Sequence, residues 1–209
     1  MLIYLDNSAT TAQRREVTET MLSAMENTYG NPSSLHRMGV EAEKLVKASR
    51  KAISASLGVS EDGIYFTSGG TESDNTAILG ACAALKRSGS HIITTAIEHP
   101  AVLECFRKLE SEGFSVTYLS PDRNGIVSAE KVRSALREDT ILVSVMHVNN
   151  ETGAIQPVEE IGALLSGREH TVFHCDAVQS FGKIPVPVRA AGIGALSASG
   201  HKIHGPKGV

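Results

Sequence analysis

Short apolar, β-branched runs recur along the chain, separated by segments whose apolar positions return at helical spacing. The runs occupy residues 64–67 (IYFT), 91–95 (HIITT), 116–119 (VTYL), 141–145 (ILVSV) and 171–174 (TVFH), with a weaker sixth at 195–198 (ALSA). Near-continuous runs of this kind suit strands buried on both faces of a sheet. Between them, Ala42, Leu45, Val46, Ser49, Ala52, Ile53 and Leu57 form a narrow helical stripe that Gly58 is placed to end. Residues 71–87 are alanine-rich and nearly apolar over 77–85, which predicts a buried helix, and Gly89 stands just past its end. Pro100 suits a first helical position, and Val102, Phe106 and Leu109 follow as a core face until Gly113. Helices are also predicted over 128–137 and 157–165. Strand–helix repetition predicts an α/β domain with a mostly parallel sheet. No internal repeat or low-complexity linker divides it.

In sheets of this class, ligands gather at the carboxyl ends of the strands. Polar, glycine-containing segments sit at those ends: SGGTESDN after the first run, EHP after the second, HVNNETG after the fourth, DAVQS after the fifth and SGHK after the sixth. Five separate clusters would converge on one crevice.

Composition narrows the function classes. The 209 residues are 41% hydrophobic and 21% charged with a net charge of −3, as in an ordinary globular chain. Without a basic block, nucleic acid and anionic membrane are not expected as main partners. No apolar run reaches the length of a membrane span, and MLIYLDNSATT lacks the basic flank and apolar stretch of a secretion signal. Cys82, Cys105 and Cys175 are scattered and without CxxC spacing, so reduced thiols in a cytoplasmic protein are expected.

Each cluster admits two readings. Ser68-Gly69-Gly70-Thr71 joins a strand to a helix and would bring backbone N–H groups and a helix N-terminus to an anion such as a phosphate; equally, it is a tight turn with Thr71 as helix cap. It matches neither GxxxxGK[ST] nor GxGxxG. His99 could cap the following helix or stack on a flat ring, and it titrates near neutrality. Asp176 ends a buried run, and buried carboxylates have partners. With no lysine or arginine near in sequence, a cationic ligand atom or a capped turn would serve, and Gln179 could reach the same ligand. Lys202, among Ser199, Gly200 and His201, is either a surface lysine or a desolvated nucleophile for aldehydes. The pairs His170/His174 and His201/His204 have metal-compatible spacing, but no cysteine or carboxylate completes a set, and no metal site is expected. A phosphate cup, a ring stacker, a carboxylate for a ring nitrogen and an imine-forming lysine together describe a site for pyridoxal 5′-phosphate.

At this point the residues resemble a known family. YLDNSATT, GNPSSLH (30–36), FTSGGTESDN, EHPAVL, HVNNETG, HCDAVQSFGK and SGHKIHGPKG are similar, in order and spacing, to the NifS/IscS-like cysteine desulfurases of the class V aminotransferase group, from about Tyr4 to the last residue. The resemblance implies the fold type I large domain, a three-layer α/β sandwich, with an N-terminal arm over 1–15 and the cofactor-binding domain over 16–209. It implies that Lys202 carries the cofactor as an imine and moves protons, and that His99 stacks on the ring and assists acid–base steps. Asp176 would meet the ring nitrogen and Gln179 the phenolic oxygen. Thr71, Ser199 and His201 would hold the phosphate with the Gly70 and Thr71 amides, and Asn150 would meet the substrate carboxylate.

The implied reaction takes sulfur from L-cysteine, leaving alanine and a persulfide for iron–sulfur cluster assembly or tRNA thiolation. A homodimer is implied, with iron–sulfur scaffold or other sulfur-acceptor proteins as partners. The family's sulfur-accepting cysteine, its substrate-binding arginine and its small C-terminal domain lie further along than Val209, so the chain is expected to be an N-terminal piece lacking the last strand of the sheet. Cys82, Cys105 and Cys175 are read as structural. A selenocysteine lyase or another class V carbon–sulfur lyase or aminotransferase shares the same cofactor residues. A cofactor-binding or assembly fragment needing a second chain is the alternative of a different class.

Overall fold

Five of the six expected strands pair into one sheet. A computed structural model describes residues 3–209; Met1 and Leu2, the first residues of the expected arm, lie outside the described residues. Strands β1 (His91–Thr95), β2 (Ser115–Leu119), β3 (Thr140–Ser144), β4 (Val172–Asp176) and β5 (Ala195–Ser197) stand in the order β2-β1-β3-β4-β5. All four pairings are parallel, with Ile92 opposite Leu142, Val143 opposite Phe173 and Cys175 opposite Leu196.

Successive side chains of a strand point to opposite faces, so each strand feeds two cores. Ile92 and Leu142 pack under α3 (Gly70–Leu85) and α4 (Pro100–Ser111), with Ile78, Cys82, Val102 and Phe106. Ile93, Val143 and Phe173 face the other way, toward Val132 of α5 (Ala129–Ala135) and Val158 and Ile161 of α6 (Val158–Leu165). Helices on both faces of a parallel sheet make three layers. Each fully buried aliphatic or aromatic side chain contributes about 1.5–3 kcal/mol relative to exposure.

The expected strand at 64–67 does not form. The segment is extended but unpaired, and Tyr65 is 80% exposed. Its β-branched and aromatic residues supply propensity, but a strand also needs an edge to bond to. The β5 edge lies across an apolar groove of about 220 Å³, lined by Ile53, Phe66, Leu196 and Val209 among others. The segment is held from the helix side instead: the Arg50 guanidinium sits 5.1 Å from the Phe66 ring centroid and donates to the Ile64 carbonyl.

Two helices precede it. α1 (Arg15–Asn27), which the apolar pattern did not announce, buries none of its residues. α2 (Arg37–Leu57) starts at His36, whose side chain accepts the Gly39 N–H, and ends at Gly58 with φ of 66°. Its expected stripe is only partly covered: Ala42 is buried while Leu45 is exposed. The described residues before α1, 3–14, contain no helix or strand, and they are tied across the molecule. The Thr11 N–H donates to the His201 carbonyl at 2.9 Å and the Arg14 N–H to the His204 carbonyl at 3.1 Å. No helix of the described residues is long and apolar enough to cross a membrane.

Candidate active site

A cavity of about 580 Å³ opens at the carboxyl ends of the strands. Gly70, Thr71, His99, Asn150, Asp176, Gln179, Ser199, His201 and Lys202 all line it. They come from five connections: the loop entering α3, the loop from β1 to α4, the loop after β3, the turn after β4 and the segment after β5. Parallel strands deliver their carboxyl ends to one edge, and residues 20 to 132 apart in sequence, from different connections, meet there without any local pattern linking them.

One end of the cavity is built from backbone. Gly69, not Thr71, stands at the cap of α3, and its φ of 142° is a conformation that side chains rarely tolerate. Having no side chain, Gly69 leaves the first N–H groups of α3 to an outside acceptor, and the helix dipole makes that acceptor an anion. At Gly70 a Cβ would sit 3.0 Å from Val178 Cγ2 and 3.6 Å from Ser199 Cβ, so the glycine lets the helix start approach the opposite wall. The Ser199 hydroxyl donates to the Val209 carbonyl at 3.2 Å. His201 pairs through Nδ1 with the Thr10 hydroxyl at 3.1 Å. Burial, reinforced by Lys202 and Lys207, pushes its pKa below the usual histidine value, favouring a neutral imidazole at pH 7.

Another part of the lining is built from buried side chains. Asp176 is 5% exposed and accepts the Val178 N–H through Oδ1 at 2.8 Å. Burial raises its pKa, while that hydrogen bond and the charges of His99 and Lys202 favour the ionised form. Two further carboxyls lie close by, and the sequence reading missed both. Asp74 of α3 also lines the cavity, and burial followed by the charge of Asp176 raises it to about 8. Glu98, fixed by the Thr95 hydroxyl at 2.7 Å and the Met146 N–H at 2.9 Å, is pushed to about 8, first by burial. Asp74 carried a legible signal: it lies four and eight residues before Ile78 and Cys82, on the buried stripe of a nearly apolar helix.

Lys202 is half-buried and more open than a fully desolvated lysine. Its ammonium donates to the carbonyls of Ser8 and of Ala9, the latter at 2.9 Å. Burial and the neighbouring Lys183 charge lower its pKa, against Asp176 and Asp6. His99 caps α4, its Nδ1 accepting the Ala101 N–H at 3.1 Å; in the neutral ring that leaves the hydrogen on Nε2. Gln179 donates to the Ser8 carbonyl at 2.9 Å and accepts from Lys183 at 3.2 Å.

None of the three cysteines lines the cavity. All are buried, and burial pushes the thiols up, Cys82 to about 12 and Cys105 to about 11. Of the histidine pairs, His170 is exposed while His174 is fully buried. Among the described residues, no three His, Cys, Asp or Glu side chains cluster in a way that could hold a metal ion.

The geometry can be set beside known proteins. A cysteine desulfurase IscS of Methanosarcina thermophila is 50% identical over 207 residues, covering 99% of this chain and 51% of its own length. The solved structure titled "NIFS-LIKE PROTEIN" superposes with a TM-score of 0.96 at 42% identity, over 100% of this chain and 57% of that one. The structure titled "SspA in complex with cysteine" gives 0.94 at 42% identity, over 99% and 59%. The chain thus spans about half the length of the curated relatives it matches. The family described as aminotransferase class-V matches residues 3–209, which include every strand end that lines the cavity. With pattern, topology and cavity in agreement over that span, the chain belongs to the aminotransferase class-V family.

Proposed function

We propose that this chain carries the cofactor site of a pyridoxal 5′-phosphate-dependent cysteine desulfurase acting on L-cysteine. The observation that supports this most is the convergence of nine expected residues on one cavity whose lining includes both an anion cup and a buried carboxylate. Class V aminotransferases depend on this cofactor in general, and an IscS relative and a solved cysteine complex lie within the similarity found.

The residues present fit the cofactor. The uncapped start of α3, the glycine cradle at Gly70 and the Thr71, Ser199 and His201 side chains would hold its phosphate. Asp176 would face its ring nitrogen, Gln179 its phenolic oxygen and His99 the ring itself. When bound, the cofactor supplies an electron sink for carbanionic chemistry at the amino-acid carbons.

The chain's own groups do the rest. Lys202 must give up a proton before Nζ can attack an aldehyde, and its lowered pKa raises the neutral fraction at a given pH. Once free, the same nitrogen can carry a proton to and from substrate carbon. The Nε2–H of His99 stands at the cavity wall as a second proton donor. Asn150 would orient the substrate carboxylate. Overall, L-cysteine and a thiol acceptor would give L-alanine and a persulfide, the sulfur leaving carbon for the acceptor and a hydrogen taking its place. Inert, buried Cys82, Cys105 and Cys175 are poorly placed to be that acceptor, which favours a thiol outside these residues.

The test is absorbance. Added cofactor should give a long-wavelength band that Lys202→Ala abolishes, and cysteine with an excess of a reducing thiol should then yield alanine and, as the thiol reduces the persulfide and is itself oxidised to disulfide, sulfide. A band without turnover supports the alternative of a cofactor-binding part that needs further chain; no band overturns the reading.

A further inference from the structure

Asp74 is 1% exposed, and its Oδ1 is fully buried without a hydrogen-bond partner. The Nε2 of His174 lies 3.5 Å away, too far for a good bond. The side chain nevertheless lines the cavity beside Asp176, on the wall assigned above to the ring nitrogen. Two carboxyls in one buried region resist ionising together, and the environment decides which keeps the proton.

The two environments differ. Asp176 has the Val178 N–H at 2.8 Å and feels the charges of His99 and Lys202. Around Asp74 the groups offer little to a negative charge. From β4 come Asp176 itself, Cys175 with its thiol pushed up, and His174, held down to about 4 by burial and therefore neutral. From the β1–α4 connection comes Glu98, from α4 the buried Cys105, and from β5 the Ser197 hydroxyl, which alone favours ionisation. His174 is already engaged by the Ser144 hydroxyl at 2.8 Å and the Ser197 hydroxyl at 3.1 Å.

We propose that Asp74 is a positioning residue for the ring end of the cavity: it holds a proton at neutral pH and so keeps the single negative charge of the pair on Asp176. This rests on the cofactor reading above. A ring nitrogen then meets one carboxylate at a defined place, and the cavity does not present a second charge to the phosphate-bearing ligand. Above about pH 8, where Asp74 ionises, that second charge appears.

Asp74→Asn, a neutral isostere, separates this from simple packing. Pyridoxal 5′-phosphate should bind wild type and Asp74→Asn within about twofold at pH 7, and at pH 9.5 the variant should bind at least about threefold more tightly. A variant-to-wild-type ratio that does not change with pH would overturn the proposal, as would loss of binding at pH 7 in a folded variant. Carbon-13 carboxyl NMR of the ligand-free wild type decides independently of any variant. One aspartate should titrate with a midpoint near 8, and every aspartate titrating below about pH 5 would overturn the proposal. Failure of the wild type to bind the cofactor at any pH would sink the cofactor reading instead, leaving the NMR titration to judge Asp74.

Discussion

The sheet's carboxyl edge and the N-terminal flank both carry apolar side chains, yet these meet opposite fates. At the edge, β1 and β3 are buried along their whole length, and polar groups at their ends are held by neighbours from several elements. On the flank, α1 buries nothing, Met25 is 71% exposed and Leu35 99%. The difference lies in partners. A central parallel strand has a ladder on both sides and helices on both faces, whereas no described residue covers the outer face of α1. The residues proposed to react sit on the well-partnered edge, where a side chain can be held in one place.

Substitutions measure that contrast, and the largest effect should come from the core. Phe106, fully buried between α4 and the sheet, should lose about 3–5 kcal/mol of stability on Phe106→Ala, read by denaturant unfolding. A loss below about 1 kcal/mol would mean that the central region is as loosely partnered as the flank.

The buried carboxyls give the next effect, with a definite sign. Glu98 keeps its proton to about 8 in the folded chain against 4.5 in its ordinary state. Between those values the folded state binds more protons than the unfolded one, so stability falls as pH rises through the window. His174, held down to about 4 from 6.5, contributes the opposite slope, but only below 6.5. The comparison is therefore clean from pH 6.5 to 8. There Glu98→Gln should remove about 1–2 kcal/mol of the decline; Asp74 leaves a remainder of the same sign. An unchanged slope would show that Glu98 is ionised in the fold.

The smallest effect is expected on the flank: Met25→Ala should change stability by no more than about 0.5 kcal/mol. A cost matching that of Phe106→Ala would erase the contrast.

Much of the site was legible because its residues lie at strand ends. The β-branched runs located the strands, the parallel-sheet rule placed their ends together, and the unusual residues there (paired glycines, His99, Asp176, Lys202) suggested their chemistry. The run at 64–67 misled because composition reports propensity and not the presence of an edge to pair with. α1 escaped notice because its apolar residues meet no core and leave a weak stripe. Asp74 and Glu98 were passed over because an acidic residue beside a helix start or strand end usually faces water; Asp74's place on the apolar stripe of α3 hinted otherwise, while only the groups that close over Glu98, Thr95 and the Met146 N–H, reveal its burial.

By itself the sequence determined the five strands of the sheet, the helices that cover it and which residue types reach the carboxyl edge, because hydrophobic periodicity, glycine and proline act locally; whether the run at 64–67 paired was not decided locally. The tertiary structure alone decided which carboxyls share a buried region, which lysine carbonyl contacts hold Nζ, and which apolar faces go uncovered. Those outcomes depend on distances between segments far apart in the chain, and electrostatic and burial energies follow from such distances rather than from any local pattern.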